Sequence, residues 1–235
     1  MKSGDFVSID YVGKVKDSGE VFDATMEEAA KKENVYDPKV SYRPISIVVG
    51  ADFVIKGLDG ALMQMSVGER KVVVIDPKDA FGERNPDYIR AVPASNFKNE
   101  RIDPTPGSWV TINNVRGKIL SADGGRIKID FNHPLAGKKL EYDVKILKEI
   151  TDSGEQTRSV VCYITGLDPE KVHASIKEKE AEIKIDAKRE MPAAMKKRIA
   201  DLEIKWVKGV EKVRFVDEYG AEGEKSEKKP AEPAE

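Results

Sequence analysis

The sequence predicts an α+β fold in which a curved antiparallel sheet wraps around one short helix. Three consecutive segments carry this prediction: an apolar run at Ile47–Val49, an amphipathic segment at Phe53–Met65 and a second apolar run at Lys71–Ile75. In the middle segment the apolar side chains fall roughly on one helical face, whereas the flanking runs are typical of buried strands. Asp76-Pro77 ends the second strand, because proline has no N–H to donate to a sheet.

Two further strands precede this centre and one follows it. Asp5–Val15 alternates between apolar and polar side chains, which indicates a half-buried strand, and Val21–Ala24 begins the next extended piece. The stretch from Ala24 to Val35 is rich in alanine and glutamate and predicts a short helix. The strand that closes the core, Lys139–Ile150, comes only after a long insert. We therefore assign residues 1–85 and 132–151 to the core domain.

The insert, residues 86–131, has strand patterns and a hairpin signal of its own. Strands are predicted at Trp109–Asn113, Val115–Ser121 and Arg126–Phe131, and Asp123-Gly124-Gly125 between the last two favours a tight turn. The insert is therefore predicted to be an all-β-rich domain.

Residues 152–220 predict a small α+β domain, and residues 221–235 a disordered tail. Asp168 is a candidate N-cap with Pro169 at the first helical position, which predicts a helix toward Lys179. The other predicted elements are a strand at Gln156–Thr165, a strand at Glu182–Asp186, a helix at Pro192–Val207 and a strand at Val213–Val216. The tail is rich in lysine, glutamate, proline and alanine, which cannot bury enough apolar surface to fold.

The composition argues against several classes of function and suggests a compartment. The formal net charge is −2 with 35% charged residues, so no global basic field points to nucleic acid. No apolar run approaches the length of about 20 residues that spans a membrane, and no signal peptide precedes the first strand. Cys162 is the single cysteine and cannot form an internal disulfide, as is usual in a reducing cytosol. These features predict a cytoplasmic protein that contacts neither nucleic acid nor membrane.

Short motifs in the core and after the insert resemble those of one enzyme family. They are Tyr11-Val12-Gly13, Phe22-Asp23, Val54-Ile55-Lys56-Gly57-Leu58, Met65-Ser66-Val67-Gly68-Glu69-Arg70 and Ala80-Phe81-Gly82, in this order. The series resembles the core of the FKBP-type peptidyl-prolyl isomerases. The stretch 132–137 is similar to the Asn-His-x-Leu-Ala-Gly signature of SlyD-like members, which carry a chaperone domain inserted in the flap. The resemblance covers about residues 1–149, and long archaeal members of the family also carry an extra C-terminal domain.

The resemblance implies an FKBP-type half-barrel and a proline isomerase that needs no cofactor and no metal. Rotation about an X-Pro bond meets a barrier of roughly 18–20 kcal/mol because amide resonance is lost. Since no covalent bond breaks, a dry apolar pocket with a donor placed for the twisted amide is what catalysis requires. Carried over from the family motifs, the pocket comprises Tyr11, Phe22, Asp23, Ile45, Val54, Ile55, Leu58, Phe81 and Tyr142.

Some of these positions differ from those of the small family members. Leu58 stands where they have a tryptophan, Phe81 where they have a tyrosine and Ile45 where they have a phenylalanine, which argues against tight binding of macrolide inhibitors. Asp23 has two interpretations. It is either an electrostatic group near the twisting carbonyl carbon, held by the Tyr11 hydroxyl, or a carboxylate that caps local amides. The family motif favours the first.

The insert is the predicted site for clients, which are unfolded or nascent polypeptides that contain proline. Its candidate contacts are apolar side chains, chosen because no paired strand obviously buries all of them: Ile89, Val92, Phe97, Ile102 and Trp109. The two histidines, His133 and His173, have no second ligand at metal spacing, and His133 is interpreted as structural.

The C-terminal domain carries an apolar helical stripe formed by Met195, Ile199, Leu202 and Trp206. Such a stripe is more typical of a domain core or a homodimer interface than of a client-binding surface, and a small domain has little room to bury it completely. We therefore expect this domain to pair two subunits.

Three functional hypotheses remain open. The leading one is an isomerase that is also a folding chaperone, and its rival is a holdase or ribosome-associated module with a vestigial isomerase site, which Leu58 and Phe81 would permit. The third is an RNA-binding insert, with charge supplied by Arg101, Arg116, Lys118, Arg126 and Lys128. The aromatic–basic interleaving of RNA platforms is missing there, which makes the third the weakest.

Overall fold

The structure is a computed structural model that describes residues 1–98, 104–186 and 191–217. Its contacts divide the chain into two compact units, the first ending at Ile150 and the second beginning at Thr151. Within the described ranges no helix is both long enough and apolar enough to cross a membrane. The predicted tail, residues 221–235, lies outside the described residues.

A five-stranded antiparallel sheet forms the core of the first unit. Its strands are β1 (Phe6–Val15), β2 (Val21–Ala24), β3 (Ile45–Val48), β4 (Arg70–Ile75) and β9 (Leu140–Glu149). Their order is β2-β1-β9-β4, and β3 pairs with the first half of β1. The α+β prediction is confirmed, and the strands predicted from apolar alternation are present with small differences at their ends.

Two short helices accompany this sheet, α1 (Glu27–Lys32) and α2 (Lys56–Leu62). Leu58 and Leu62 of α2 are buried, which places one face of the helix in the core. Gly57 lets the helix approach β4 closely, because a Cβ at this position would clash with Ile75. The helix is shorter than the predicted amphipathic segment Phe53–Met65. The two end residues of that segment, Phe53 and Met65, are buried but lie outside α2.

The insert is a four-stranded antiparallel sheet with one short helix. Its elements are β5 (Ile89–Pro93), α3 (Ser95–Lys98), β6 (Trp109–Ile112), β7 (Val115–Asp123) and β8 (Arg126–Asp130), and the sheet order is β5-β8-β7-β6. Gly124 and Gly125 between β7 and β8 have φ values of 57° and 78°, as a left-handed hairpin turn requires. The three predicted strands are confirmed, whereas β5 was not predicted.

The second unit combines a three-stranded sheet with two longer helices. The elements are α4 (Ser153–Thr165), β10 (Val172–Lys177), β11 (Glu180–Ile185), α5 (Ala193–Trp206) and β12 (Lys212–Val216). Strand β11 pairs antiparallel with β10 and parallel with β12. The predicted helix at α5 and the predicted strands at β11 and β12 are confirmed.

Two sequence-based predictions in this unit are wrong. The segment predicted as a strand at Gln156–Thr165 is helix α4, because the Asp152 side chain caps it by accepting from the Glu155 N–H at 2.8 Å and Gly166 ends it at φ 70°. The helix predicted from Pro169 to Lys179 is only one 3₁₀ turn followed by β10. Glu178 and Lys179 both adopt positive φ, so the chain forms a tight hairpin there instead.

A carboxylate lies in the core of the second unit. Glu203 on α5 is 0% exposed, and one of its oxygens accepts a hydrogen bond from the Thr157 hydroxyl of α4 at 2.9 Å. The other oxygen has no hydrogen-bond partner within the described residues. Burial raises the pKa of Glu203 to about 7, although the Thr157 hydrogen bond acts in the opposite direction. The side chain is therefore held in the folded unit mainly as the neutral acid at mildly acidic pH.

We expect Glu203→Gln to stabilise the second unit at neutral and alkaline pH. Because the folded-state pKa is raised, the native protein loses stability as pH rises from about 4.5 through about 7. Above that range the charged Glu203 costs about 3.5 kcal/mol at most, since each pKa unit corresponds to about 1.4 kcal/mol. Urea unfolding at pH 5 and pH 8, followed by Trp206 emission in a Trp109→Phe background, measures the effect.

Asp201→Asn is the matched control for this prediction, since Asp201 is an exposed carboxylate on the same helix. The Glu203→Gln variant should show a flatter dependence of unfolding free energy on pH. The Asp201→Asn variant should show the same dependence as the chain without either substitution. Equal slopes in all three proteins would contradict the assignment of this pH dependence to Glu203.

Candidate active site

Three aromatic rings from β1, β2 and β9 meet on the core sheet. The ring centroid of Tyr142 lies 5.5 Å from that of Tyr11 and 5.8 Å from that of Phe22, the latter in an edge-on arrangement. Gly13 lies opposite both Asp23 and Tyr142 in the strand register. A Cβ on Gly13 would come within 2.8 Å of the Phe22 ring and 3.1 Å of the Tyr142 ring. The Tyr-x-Gly motif is thus explained by the close approach of these rings.

A hydrogen bond joins the one carboxylate of the cluster to its neighbouring phenol. The Tyr11 hydroxyl donates to the Asp23 carboxylate at 2.6 Å, and Asp23 itself is exposed. Behind it, the Thr25 hydroxyl accepts from the Tyr11 N–H at 2.9 Å and donates to the Asp10 carboxylate at 2.8 Å. Sequence reasoning missed Thr25 and Asp10. The only indication in the sequence was that a threonine directly follows β2, where its hydroxyl can reach the neighbouring strand.

Tyr142 is the buried phenol of the cluster, with 5% of its surface exposed. Burial raises the pKa of Tyr142 above its usual range, and the negative charge of Asp23 adds to this. Within the described residues its hydroxyl makes no hydrogen bond. Tyr142 therefore offers a neutral O–H donor throughout the physiological pH range.

The start of α2 supplies a second donor. The Ile55 carbonyl accepts from the N–H groups of Leu58 and Asp59, both at 3.0 Å, whereas the Ile55 N–H makes no hydrogen bond within the described part of the chain. The buried Asp59 carboxylate accepts from the Gly50 N–H at 2.8 Å and ties the helix to the preceding loop. Burial raises the pKa of Asp59, although its hydrogen bond with Gly50 opposes this.

Phe81 lies in the loop that follows β4. Its ring stacks on the imidazole of His133, with centroids 4.2 Å apart and planes at 4°. The His133 Nδ1 accepts from the Leu135 N–H at 3.2 Å, and the Gly82 carbonyl accepts from the Gly137 N–H at 2.9 Å. The loop that bears Phe81 is therefore fixed to the segment that returns from the insert.

The nine predicted pocket residues are placed as follows. Direct contacts join Tyr11, Phe22, Asp23 and Tyr142. Leu58 is buried within α2, and Ile45 begins β3 opposite Ile9. Val54 and Ile55 are half-buried just before α2, and Phe81 is half-buried against His133.

The two connections between core and insert are held by a polar cluster. The Asn132 side chain accepts from the Asn85 N–H at 2.8 Å and donates to the Asn85 carbonyl at 2.9 Å. Asp130 accepts from the Asn132 side chain at 2.7 Å and forms an ion pair with Arg84. Burial alone would raise the pKa of Asp130, but the hydrogen bonds from Asn132 and the charge of Arg84 lower it.

The predicted client contacts of the insert do not share one environment. Phe97 is 3% exposed in the insert core, and Val92 packs against the same core, because β5 pairs with β8. Phe97 and Val92 therefore belong to the insert core, and β5, on which Val92 lies, was not predicted from the sequence. Ile89 is half-buried on β5, Trp109 is 39% exposed, and Ile102 lies outside the described residues.

No group of three or more His, Cys, Asp or Glu side chains within the described ranges is arranged to hold a metal ion. The cluster on the core sheet offers aromatic walls, one fixed carboxylate and the Tyr142 hydroxyl as a donor without a partner among the described residues. The Ile55 N–H at the start of α2 is a second such donor. Such a set can bind an apolar ring and a polarised amide, and its groups are not those of an activated nucleophile.

Comparison with known proteins agrees with this chemistry. Residues 1–147 match the family model described as FKBP-type peptidyl-prolyl cis-trans isomerase. The chain is 35% identical over 146 residues to the short-type peptidyl-prolyl cis-trans isomerase of Methanocaldococcus jannaschii, which covers 62% of this chain and 92% of the relative.

Two bacterial relatives are also similar. A probable FKBP-type 16 kDa peptidyl-prolyl cis-trans isomerase of Pseudomonas fluorescens is 32% identical over 136 residues, covering 55% of this chain and 89% of the relative. The SlyD isomerase of Helicobacter pylori is 29% identical over 117 residues, covering 48% of this chain and 63% of the relative. The family match ends before the second unit begins.

Proposed function

The chain belongs to the FKBP-type peptidyl-prolyl cis-trans isomerase family, and on that premise we propose that it isomerises X-Pro bonds in unfolded polypeptides and also holds these clients as a chaperone. The observation that carries the proposal is the contact cluster of Tyr11, Phe22, Asp23 and Tyr142, in which the Tyr142 hydroxyl has no partner in the described part of the chain. The substrate is a polypeptide, and the insert is the proposed site of client retention.

The pocket lowers the rotation barrier by binding the twisted amide better than the planar one. The prolyl ring enters among the aromatic side chains, where the planar amide loses the water that stabilises its polarised form. The Tyr142 O–H and the Ile55 N–H are the proposed donors to the substrate carbonyls. Asp23, oriented by the Tyr11 hydroxyl at 2.6 Å, contributes a fixed negative charge near the carbonyl carbon as resonance is lost.

The insert extends this activity to unfolded proteins. A client held on the insert presents its X-Pro bonds to the pocket at a raised local concentration, without any change in the pocket's own affinity. Uncatalysed isomerisation takes on the order of tens to hundreds of seconds, which is slow enough to limit folding. The single cysteine, Cys162, fits a cytoplasmic setting for this work.

The experiment compares two substrates. The full chain should accelerate both the isomerisation of a short X-Pro peptide and the proline-limited refolding of a denatured protein, and it should suppress aggregation of the latter. A chain that suppresses aggregation without turning over either substrate would instead be a holdase with a vestigial pocket.

Pairing of two subunits through α5 is a further part of the proposal. Ile199 is buried in its own unit, whereas Met195, Leu202 and Trp206 are half-buried and Ile204 is 50% exposed. We expect light scattering to give a dimer for the full chain and a smaller particle for Trp206→Ala. A monomer at tens of micromolar would exclude pairing and assign Trp206 to the core.

A further inference from the structure

One face of the insert sheet carries a cluster of exposed cations. Ile119, Ile127 and Ile129 point into the insert core and are at most 1% exposed. Because side chains alternate along a strand, their neighbours on β7 and β8 point to the opposite face. That face presents Arg116, Lys118, Arg126 and Lys128, all exposed, and we name these four residues the basic face.

The charges of the basic face are poorly neutralised. Within the described residues, Lys118, Arg126 and Lys128 form no ion pair, and the Arg116 guanidinium lies over the Trp109 ring at 4.6 Å. Two carboxylates face these cations in the strand register. Asp130 lies opposite Lys118 but is engaged by Arg84 and Asn132, and Asp123 lies opposite Arg126 without forming an ion pair with it within the described residues. The segment 86–131 holds seven Lys and Arg against five Asp and Glu, in a chain whose net charge is −2.

An open strand edge borders the basic face. Strand β6 ends the sheet order, and only β7 pairs with it within the described ranges. An exposed edge strand can bind an extended peptide by main-chain hydrogen bonds. Trp109 lies on β6, is 39% exposed, and supplies an apolar contact beside the cations.

We propose that the basic face and the β6 edge select acidic extended segments of client polypeptides. Main-chain pairing along β6 gives affinity that does not depend on sequence, and the four cations favour clients with carboxylates beside apolar residues. This inference rests on the proposed function, because it names the clients that the insert retains. It also gives the insert a charge preference that a purely apolar client site would not have.

The same face fits single-stranded nucleic acid less well. Nucleic-acid platforms combine a basic groove with several aromatic side chains on which successive bases stack. Here Trp109 is the one aromatic residue of β6 and β7, so these strands present no row of rings on which successive bases could stack. The chemistry therefore favours carboxylates on a polypeptide over phosphates on a nucleic acid.

The test uses three fluorescein-labelled peptides of about twelve residues with valine at alternate positions. Three of the remaining positions carry glutamate in the first peptide, glutamine in the second and lysine in the third. Anisotropy with the full chain at low salt should rank affinity as glutamate over glutamine over lysine. We expect the glutamate peptide to bind roughly tenfold more tightly than the glutamine peptide, because it can form three exposed ion pairs of modest strength. This difference in affinity should decrease as added salt screens the charges.

Charge reversal at Lys118 and Lys128 provides the decisive variant. Lys118→Glu with Lys128→Glu should abolish or invert the ranking. The matched control is Lys2→Glu with Lys145→Glu, which changes the net charge equally on exposed lysines outside the insert, and it should keep the ranking. Equal affinity for all three peptides, or an unchanged ranking after reversal at Lys118 and Lys128, would overturn the inference.

Two further measurements separate this inference from its alternatives. Binding of a single-stranded RNA of similar length more tightly than the glutamate peptide would overturn the choice of a polypeptide partner. Turnover of a short X-Pro peptide is assayed on the same parent chain. Turnover without charge selection refutes only this inference, whereas charge selection without turnover refutes the isomerase function and leaves the selectivity standing.

Discussion

Tyr142→Ala should lower kcat/KM for a short X-Pro peptide by roughly a hundredfold, because it removes both an aromatic wall of the pocket and a donor. The ring contacts both Tyr11 and Phe22, the residue is 5% exposed, and the hydroxyl lacks a partner in the described structure. A coupled peptide assay measures the loss. Suppression of client aggregation should largely survive, since Tyr142 lies in the core and not in the insert.

Tyr142→Phe is the matched variant, since it deletes the hydroxyl and keeps the ring. We expect it to lose roughly tenfold in kcat/KM, the value of one hydrogen bond. Because truncation of a buried ring costs about 3–5 kcal/mol of stability, circular dichroism must show that the alanine chain is folded. Asp23→Ala should also lower turnover without unfolding the protein, because Asp23 is exposed. Equal loss of turnover and aggregation suppression in folded variants would contradict separate sites.

Replacing residues 86–131 by a short loop should leave a folded isomerase core. The ends of the insert are adjacent, since the Asn85 N–H lies 2.8 Å from the Asn132 side-chain oxygen, and the cost of closing a loop changes slowly with its length. Activity on a short peptide should persist. Activity on an unfolded protein should fall by roughly a hundredfold, because the local concentration supplied by client retention is lost.

Proline-limited refolding and the short-peptide assay, run on the same preparations, measure this separation. Trp109→Ala in the full chain is the intermediate control, since it alters one exposed side chain of the insert and keeps the sheet. Unchanged refolding activity after loop replacement would remove the insert from client binding. Loss of the short-peptide activity would instead show that the insert also supports the pocket.

The core could be predicted from sequence because Asp5–Val15 alternates with period two, two apolar runs flank an amphipathic segment, and the family motifs lie in order. The second unit was harder to predict, since Val160 and Val161 suggest a strand on propensity alone. Both side chains are buried within α4, where the Asp152 cap and tertiary packing outweigh that propensity. The hairpin at Glu178-Lys179 was missed because neither residue usually adopts positive φ.

Side-chain contacts between residues far apart in the sequence could not be predicted either. Thr25 contacts Asp10 and Tyr11 through a strand register that no local pattern reveals. Glu203 follows Ile199 by four residues and so lies on the buried face of α5. Its residue type predicts a solvated side chain, and its Thr157 partner on α4 could not be read from the sequence. Strand β5 contains a proline at its last position, Pro93, which lowers its apparent strand character.

The joint between core and insert has a consequence for how such proteins diversify. Asn132 binds the N–H and the carbonyl of residue 85, groups that every residue except proline provides in the same geometry. This contact places little demand on the residue type at position 85, whereas the neighbouring Arg84–Asp130 ion pair needs its two side chains. Domains of different surface chemistry can therefore be grafted at this position while the catalytic half is inherited intact, so that client preference and catalysis evolve as separable traits.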